Sequence, residues 1–142
     1  MKRTDWTLMA LNAAGPDGLS PVQLQKTLFI LSKQLPDAVG DSFYNFVPYN
    51  YGPFDRAVYE DAEELARGGQ IEITQRDGEN WNRYVITREG EVDISRAVYE
   101  HRDAADYLER LVKWVQEQTF QGLVSAVYAK YPEMRANSVF QG

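Results

Sequence analysis

The 142-residue sequence contains no cysteine and a single histidine, His101. Disulfides and thiolate metal sites are thereby excluded, and a zinc site would need more histidine or cysteine than the chain has. No stretch approaches the ~20 apolar residues that a membrane-spanning helix requires. The opening Met1-Lys2-Arg3-Thr4-Asp5 leads toward a helix with an acid near its head, not into an apolar signal core. Cytoplasmic residence, with no membrane partner, is the expectation. Positive charge is also scarce: 15 Lys and Arg stand against 21 Asp and Glu, a net charge of −6. Nucleic-acid affinity draws heavily on Lys and Arg that neutralise phosphates, so the location of the charge has to decide that question.

Signs of catalysis are equally thin. There is no Gly-x-Gly-x-x-Gly and no P-loop. His101 lies in the charged run Glu100-His101-Arg102-Asp103 with no nucleophile beside it, and reads as an exposed helix residue. Carboxylates abound, but their spacing does not separate acid–base work from solubility. The sequence is therefore read as non-enzymatic, with no catalytic residue, metal or cofactor.

What is present is a normal globular composition, 44% apolar and 25% charged. The length suits one hydrophobic core and is short for two, so residues 1–142 are expected to form a single domain. A first helix runs from about Asp5 to Ala14 and stops at Gly15-Pro16-Asp17-Gly18. The second carries the best local signal. Ser20 is an N-cap, Pro21 takes the first helical position, Gln23 completes a capping box, and Leu19 and Leu24 sit where a hydrophobic staple would. Leu24, Leu28, Leu31 and Leu35 then keep helical spacing until Pro36.

Residues 36–42 read as a loop and Phe43-Tyr44-Asn45-Phe46-Val47 as a short extended segment that Gly52-Pro53 breaks. Pro53 is expected to start a third helix, from about Phe54 or Asp55 to Arg67, with Phe54, Val58, Ala62 and Leu65 inward and Gly68-Gly69 at its end. Alternation at Ile71 and Ile73, the Asp77-Gly78 turn and the return Trp81–Ile86 predict a hairpin. Thr87 caps a fourth helix that breaks near His101-Arg102-Asp103. Leu108, Leu111, Val112 and Val115 resume the pattern, with Asp106–Arg110 and Glu109–Lys113 as supporting pairs. A last helix carries Phe120, Leu123, Val124, Val127, Tyr128 and Tyr131 up to Pro132. The fold class expected is α+β, mainly α. It has a winged-helix-like core of three helices plus a β-hairpin over 5–86, and two or three additional C-terminal helices over 87–142.

Two patches carry a family resemblance. One is Leu24-Gln25-Lys26-Thr27-Leu28-Phe29. The other is Tyr51-Gly52-Pro53-Phe54, followed by Val58-Tyr59, Leu65 and Gly69-Gln70-Ile71. Together they resemble the Panacea (SocA-like) domain and its relatives, over roughly residues 5 to 86. Thr27 and Phe29 stand where that helix motif has apolar and tyrosine residues. Tyr128-x-x-Tyr131-Pro132 with Asn137-Ser138 looks like the mark of a distinct subgroup. The resemblance implies an antitoxin or adaptor that recognises another protein, often one encoded nearby in a bacterial or phage genome.

Charge and aromatic density suggest where such a partner would bind. From Asp55 to Arg67 the third helix has five acids (Asp55, Glu60, Asp61, Glu63, Glu64) and two bases (Arg56, Arg67), and the hairpin charges Arg76, Asp77, Glu79 and Arg83 cancel. A helix of that charge repels a phosphate backbone, so DNA binding is disfavoured although the fold would allow it. Two readings of the acids stay open: a negative face for a basic partner, or a solvated outer face. Tyrosines offer amphipathic area suited to interfaces, and Tyr49, Tyr51 and Tyr59 are the candidates; the neighbouring Phe43, Phe46 and Phe54 are equally read as core. The candidate partner-binding set is thus Tyr49, Tyr51, Asp55, Tyr59, Glu60, Glu63 and Glu64. The leading expectation is a protein-binding module that neutralises or recruits a basic protein. The alternative is a winged-helix transcriptional regulator, dimeric through the C-terminal helices around Leu108 to Val127.

Overall fold

Six consecutive residues of the first helix, Trp6 to Leu11, are buried. A helix with so little polar face belongs inside a fold, and α1 (Arg3–Ala14) occupies that position. The computed structural model, which describes residues Met1–Gln141, packs α1 between α4 (Arg56–Arg67) and β4 (Arg83–Ile86), and α5 (Arg88–Glu100) and α6 (Arg102–Glu117). The architecture is α+β and mainly α: helices with two small antiparallel two-stranded sheets. No helix among the described residues is long and apolar enough to cross a membrane.

Local signals set most of the boundaries. The capping box forms at the head of α2 (Pro21–Gln34), where Ser20 Oγ accepts from Gln23 N and Gln23 Oε1 accepts from Ser20 N. Thr87 Oγ1 accepts from Gly90 N, while the hydroxyl itself donates to Gly69 O at 2.7 Å. Thr119 caps α7 (Phe120–Lys130) in the same way. Arg102 binds Asp106 and Glu109, in place of the expected pairs Asp106–Arg110 and Glu109–Lys113. The residues after α2 form a four-residue helical turn, α3 (Pro36–Val39), within the expected loop. His101 is exposed, but it lies at the break between α5 and α6 (φ −117°, ψ 53°) rather than within a helix. Its ring approaches that of Trp6 at 6.4 Å.

The hairpin β3 (Ile71–Thr74) with β4 pairs Ile71 with Ile86 and Ile73 with Tyr84; Trp81 and Asn82 fall outside the strand. An extra bridge joins Leu19, just before α2, to Tyr84, with both backbone hydrogen bonds made at 3.0 and 2.9 Å. Gly18 makes this approach feasible: its φ is +62°, and a Cβ there would lie 2.2 Å from Tyr84 O.

The aromatic segment departs from expectation. Phe43 and Tyr44 are buried outside any strand, whereas β1 (Val47–Tyr49) pairs with β2 (Gly52–Phe54) around the Asn50-Tyr51 turn. Gly52-Pro53 does not break the extended chain, and Pro53 does not begin the helix. Asp55 is the true N-cap of α4, its Oδ1 accepting from Ala57 N at 2.9 Å and its Oδ2 from Asn45 N at 2.8 Å. Phe54 accordingly belongs to the strand, not to the inner face of the helix.

The core is continuous across residue 86. Leu108, Val112, Val115, Leu123, Val124 and Val127 pack in one cluster with Leu8, Leu11 and Leu28. Thr27 Oγ1, buried in α2, has no hydrogen-bond partner among the described residues.

Candidate functional site

The two patches that carry the family resemblance meet in space. Gln25 on α2 clasps the backbone on both sides of Asp55: its Nε2 donates to Asp55 O at 2.9 Å and its Oε1 accepts from Asp55 N at 3.1 Å. From the next residue of α2, the Lys26 ammonium donates to Pro53 O, at a long 3.4 Å. Gly52 has φ +105°, and a Cβ there would stand 3.4 Å from Lys26 Cε and 3.4 Å from the Tyr128 ring. The Leu-Gln-Lys and Tyr-Gly-Pro residues thus form one clip between α2 and the β1–β2 hairpin.

The C-terminal segment braces the same hairpin from the other side. Val139 N donates to Asn50 O at 2.9 Å, Asn137 Nδ2 to Pro48 O at 3.2 Å, and Ser138 Oγ to Asn50 O at 3.3 Å. Tyr128 OH donates to Ser138 Oγ at 2.7 Å, and Phe140 packs near the rings of Phe120 and Tyr128. The Tyr128 and Asn137-Ser138 residues, which read as a subgroup mark, hold the hairpin turn in place.

Between these braces the hairpin presents Tyr49 and Tyr51, 50% and 42% exposed. Tyr49 stacks on Phe54 at 4.9 Å, Phe54 meets Tyr59 edge-on at 5.8 Å, and Tyr59 lies parallel to Tyr84 at 6.3 Å. Burial pushes the Tyr59 hydroxyl up to about 12. Tyr51 meets Phe120 at 5.3 Å and so connects to a neighbouring groove between the head of α2, the head of α7 and the exposed Trp81. Under the hairpin, Val22, Tyr49, Tyr51, Phe54 and Tyr59 wall a cavity of about 220 Å3 to which Lys26 contributes. Lys26 is 4% exposed, and burial lowers its pKa to about 8.

The acidic residues divide. Asp55 is occupied as the helix cap, and Asp61 is buried and paired in a bidentate contact with Arg3, at 2.7 and 3.0 Å. Tyr44 donates to the same carboxylate and lies beneath the Arg3 guanidinium, 4.6 Å from its ring centroid. Burial and the bond to Asp61 together push the Tyr44 hydroxyl up. Glu60, Glu63 and Glu64 are exposed, and none forms an ion pair among the described residues. They do not all share a face with the tyrosines. At ~100° per residue, Glu64 lies roughly 140° around α4 from Tyr59, whereas Glu63 falls about 40° from it.

Of the candidate set, the fold therefore brings Tyr49, Tyr51 and Tyr59 together, with Glu63 beside Tyr59 on α4 and Glu60 about 100° around the helix from it. Asp55 serves the backbone, and Glu64 points elsewhere. The sequence reading missed Lys26, Val22, Trp81 and Phe120. A signal for Lys26 existed: it is three residues from Phe29 and four from Val22, a second apolar stripe beside the leucines. At the other hairpin Arg83 is largely buried and binds Glu79 at 2.7 Å and Asp17 O at 2.9 Å, while the half-exposed Arg76 makes longer contacts with Pro16 O at 3.3 Å and the Asp17 carboxylate at 3.6 Å. No protein-family model matches the chain, and no curated protein matches its sequence.

Proposed function

We propose that the protein is a protein-binding module of antitoxin or adaptor type, acting in the cytoplasm without catalysis of its own, which neutralises or recruits a basic partner by direct contact. The observation that carries this reading is the pair of exposed tyrosines on a hairpin braced by α2 on one side and the C-terminal segment on the other. Aromatic area held rigid before binding loses little freedom on association, which is how such side chains become interface anchors. Glu60 and Glu63, exposed and unpaired among the described residues, supply negative charge next to Tyr59. Charge of that kind steers a basic partner and fixes its register.

The order α1, α2, α4 and the β3–β4 hairpin, interrupted by the short α3 and the β1–β2 hairpin, with the Leu19–Tyr84 bridge preceding α2, supports a winged-helix-like reading of residues 5–86. That order also favours the alternative, a DNA-binding dimeric regulator. Two observations weigh against it. The outward face of α4 carries glutamates, and the hairpin arginines already hold protein oxygens. Most apolar residues from Leu108 to Val127 are also buried within the chain, which leaves Trp114 and Phe120 as the large exposed ones that could join two copies.

The test is affinity capture with purified protein and the product of the adjoining gene, comparing wild type with Tyr49→Ala/Tyr51→Ala and with Glu60→Lys/Glu63→Lys. Loss of capture by at least about tenfold in either folded variant is expected, since anchor truncations cost ~2 kcal/mol or more. Equal capture by all three proteins would remove this surface from the binding site. A salt titration on promoter DNA decides the alternative: sequence-selective binding with a steep salt dependence would establish it over the protein-binding reading.

A further inference from the structure

Lysine is almost never fully buried unless it is paired, because removing an ammonium from water is costly. Lys26 is buried, yet it takes part in none of the ion pairs among the described residues. An ammonium has three donors. Here its one hydrogen bond among the described residues, to Pro53 O at 3.4 Å, is longer than the ~2.7–3.2 Å of a good N–H···O contact. If Lys26 were only a clip for the hairpin, glutamine would serve without a charge, as the adjacent Gln25 demonstrates.

The geometry around the ammonium shows where its unused donors could act. A Cβ on Gly52 would lie 3.5 Å from Nζ, at ordinary contact distance, so the ammonium sits directly beneath the turn. Gly52 and Lys26 both line the cavity, whose walls are mainly Val22, Tyr49, Tyr51, Phe54 and Tyr59, with the neutral polar Gln25 and Asn50. One cation in an apolar, aromatic enclosure matches one negative charge on an apolar body. A phosphate, with its higher charge, would call for further cations, and Lys26 is the only lysine or arginine among the lining residues. The volume, about 220 Å3, is below the ~300–1,000 Å3 of cavities for drug-sized ligands, which limits the occupant to a group the size of a single residue.

We infer that the cavity beneath the β1–β2 hairpin is a carboxylate-binding site, in which Lys26 receives the carboxylate of a small aromatic or aliphatic acid, free or at the end of a peptide, and the tyrosines enclose its apolar part. The site shares its tyrosines with the proposed protein-binding surface but does not depend on it, because its test uses purified protein and small molecules alone. The probes are 3-phenylpropionate, its uncharged amide 3-phenylpropionamide, and N-acetylphenylalanine, which carries the carboxylate on a peptide-like residue. Backbone amide shifts are followed by two-dimensional NMR.

Saturable shifts centred on Lys26, Tyr51 and Gly52 are expected with at least one of the acids, at least about tenfold tighter than with the amide, the scale of a charge-assisted hydrogen bond. Binding of N-acetylphenylalanine as well as phenylpropionate would assign the site to a chain terminus, and binding of phenylpropionate alone to a free acid. Lys26→Met should abolish the response while keeping the fold. No saturation by either acid up to about 10 mM, or equal binding of acid and amide, would overturn the inference. The acid–amide comparison needs only wild-type protein, so it holds even if the variant does not fold.

Discussion

The two hairpins of this protein are built by opposite strategies. In β3–β4 the strands alternate, the Asp77-Gly78 turn closes them with Gly78 at φ +83°, and the ladder extends to a third segment at Leu19. In β1–β2 each strand has three residues, and Pro48 faces Pro53. An antiparallel ladder alternates hydrogen-bonded and non-hydrogen-bonded pairs. With the Asn50-Tyr51 turn closed by the Tyr49–Gly52 pair, the two prolines fall at the position where no N–H is required. A two-stranded ribbon of this length is at best marginal by itself. Its order comes from Gln25 on one side and from Asn137, Ser138 and Val139 on the other. One hairpin is specified by its own residues and the other by what packs against it.

The sharpest way to break this contrast is at Gly18, where the self-sufficient hairpin meets the head of α2. Gly18→Ala places a Cβ against Tyr84 O and forces a side chain onto φ +62°, so the Leu19–Tyr84 bridge has to open. A loss of about 3 kcal/mol in urea unfolding is expected. Gly78→Ala, at φ +83° but with nothing within 4 Å of the added carbon, should cost only about 1 kcal/mol. Equal costs would mean that the bridge contributes little.

The dependent hairpin lies over a charge, so its stability should respond to pH. The folded state holds Lys26 at about 8, below its ordinary 10.5. Between these values the unfolded chain binds more protons than the native one, so stability rises with pH. The charged lysine is a burden in full below about pH 8 and is relieved as pH climbs toward 10.5. The slope reaches up to about 1.4 kcal/mol per pH unit for one proton. Tyr59, pushed up to about 12, acts in the other direction: its contribution is present below pH 10 and fades as pH rises from 10 through 12. Chemical unfolding at pH 7.5, 8.5 and 9.5 should therefore show a rise that Lys26→Met removes. A wild-type curve that is flat or falling over this window would place the lysine in a better-solvated setting than its burial indicates.

How much of this was legible beforehand follows the same divide. The caps at Ser20 and Thr87, the break at His101 and the β3–β4 hairpin could be read because each signal lies within a few residues of its effect. Gly52-Pro53 read as punctuation, since glycine and proline usually end strands, and the register that accommodates two opposed prolines is a property of the pair. Lys26 entered only as part of its helix motif, with no expectation of burial, because lysine is normally exposed. Only the burial of both stripes of α2 reveals otherwise. The acids of α4 were counted by charge alone, so Asp55 and Asp61 entered the acidic face although backbone amides and Arg3 occupy them. The contacts of Asn137 and Ser138 with the hairpin span 89 and 88 residues, a distance over which no local pattern speaks.

The smallest effect is the most selective test of that distant brace. Ser138 Oγ accepts from Tyr128 OH and Phe140 N and donates to Asn50 O at 3.3 Å, so Ser138→Ala leaves the Tyr128 hydroxyl and the Phe140 amide without that acceptor. Ser138 is only half-buried, so water can replace part of what is lost, and a global cost of about 1 kcal/mol or less is expected. The consequence should be concentrated at the hairpin. If the C-terminal segment holds β1–β2 in place, amide hydrogen exchange should accelerate by up to about fivefold at Tyr49 and Gly52, the scale of a 1 kcal/mol change in local opening, while the amides of Ile71 and Ile86 keep their rates. Uniform acceleration across both hairpins would show that the brace acts on the whole fold. No change at Tyr49 and Gly52 would mean that α2, through Gln25, suffices to order the hairpin.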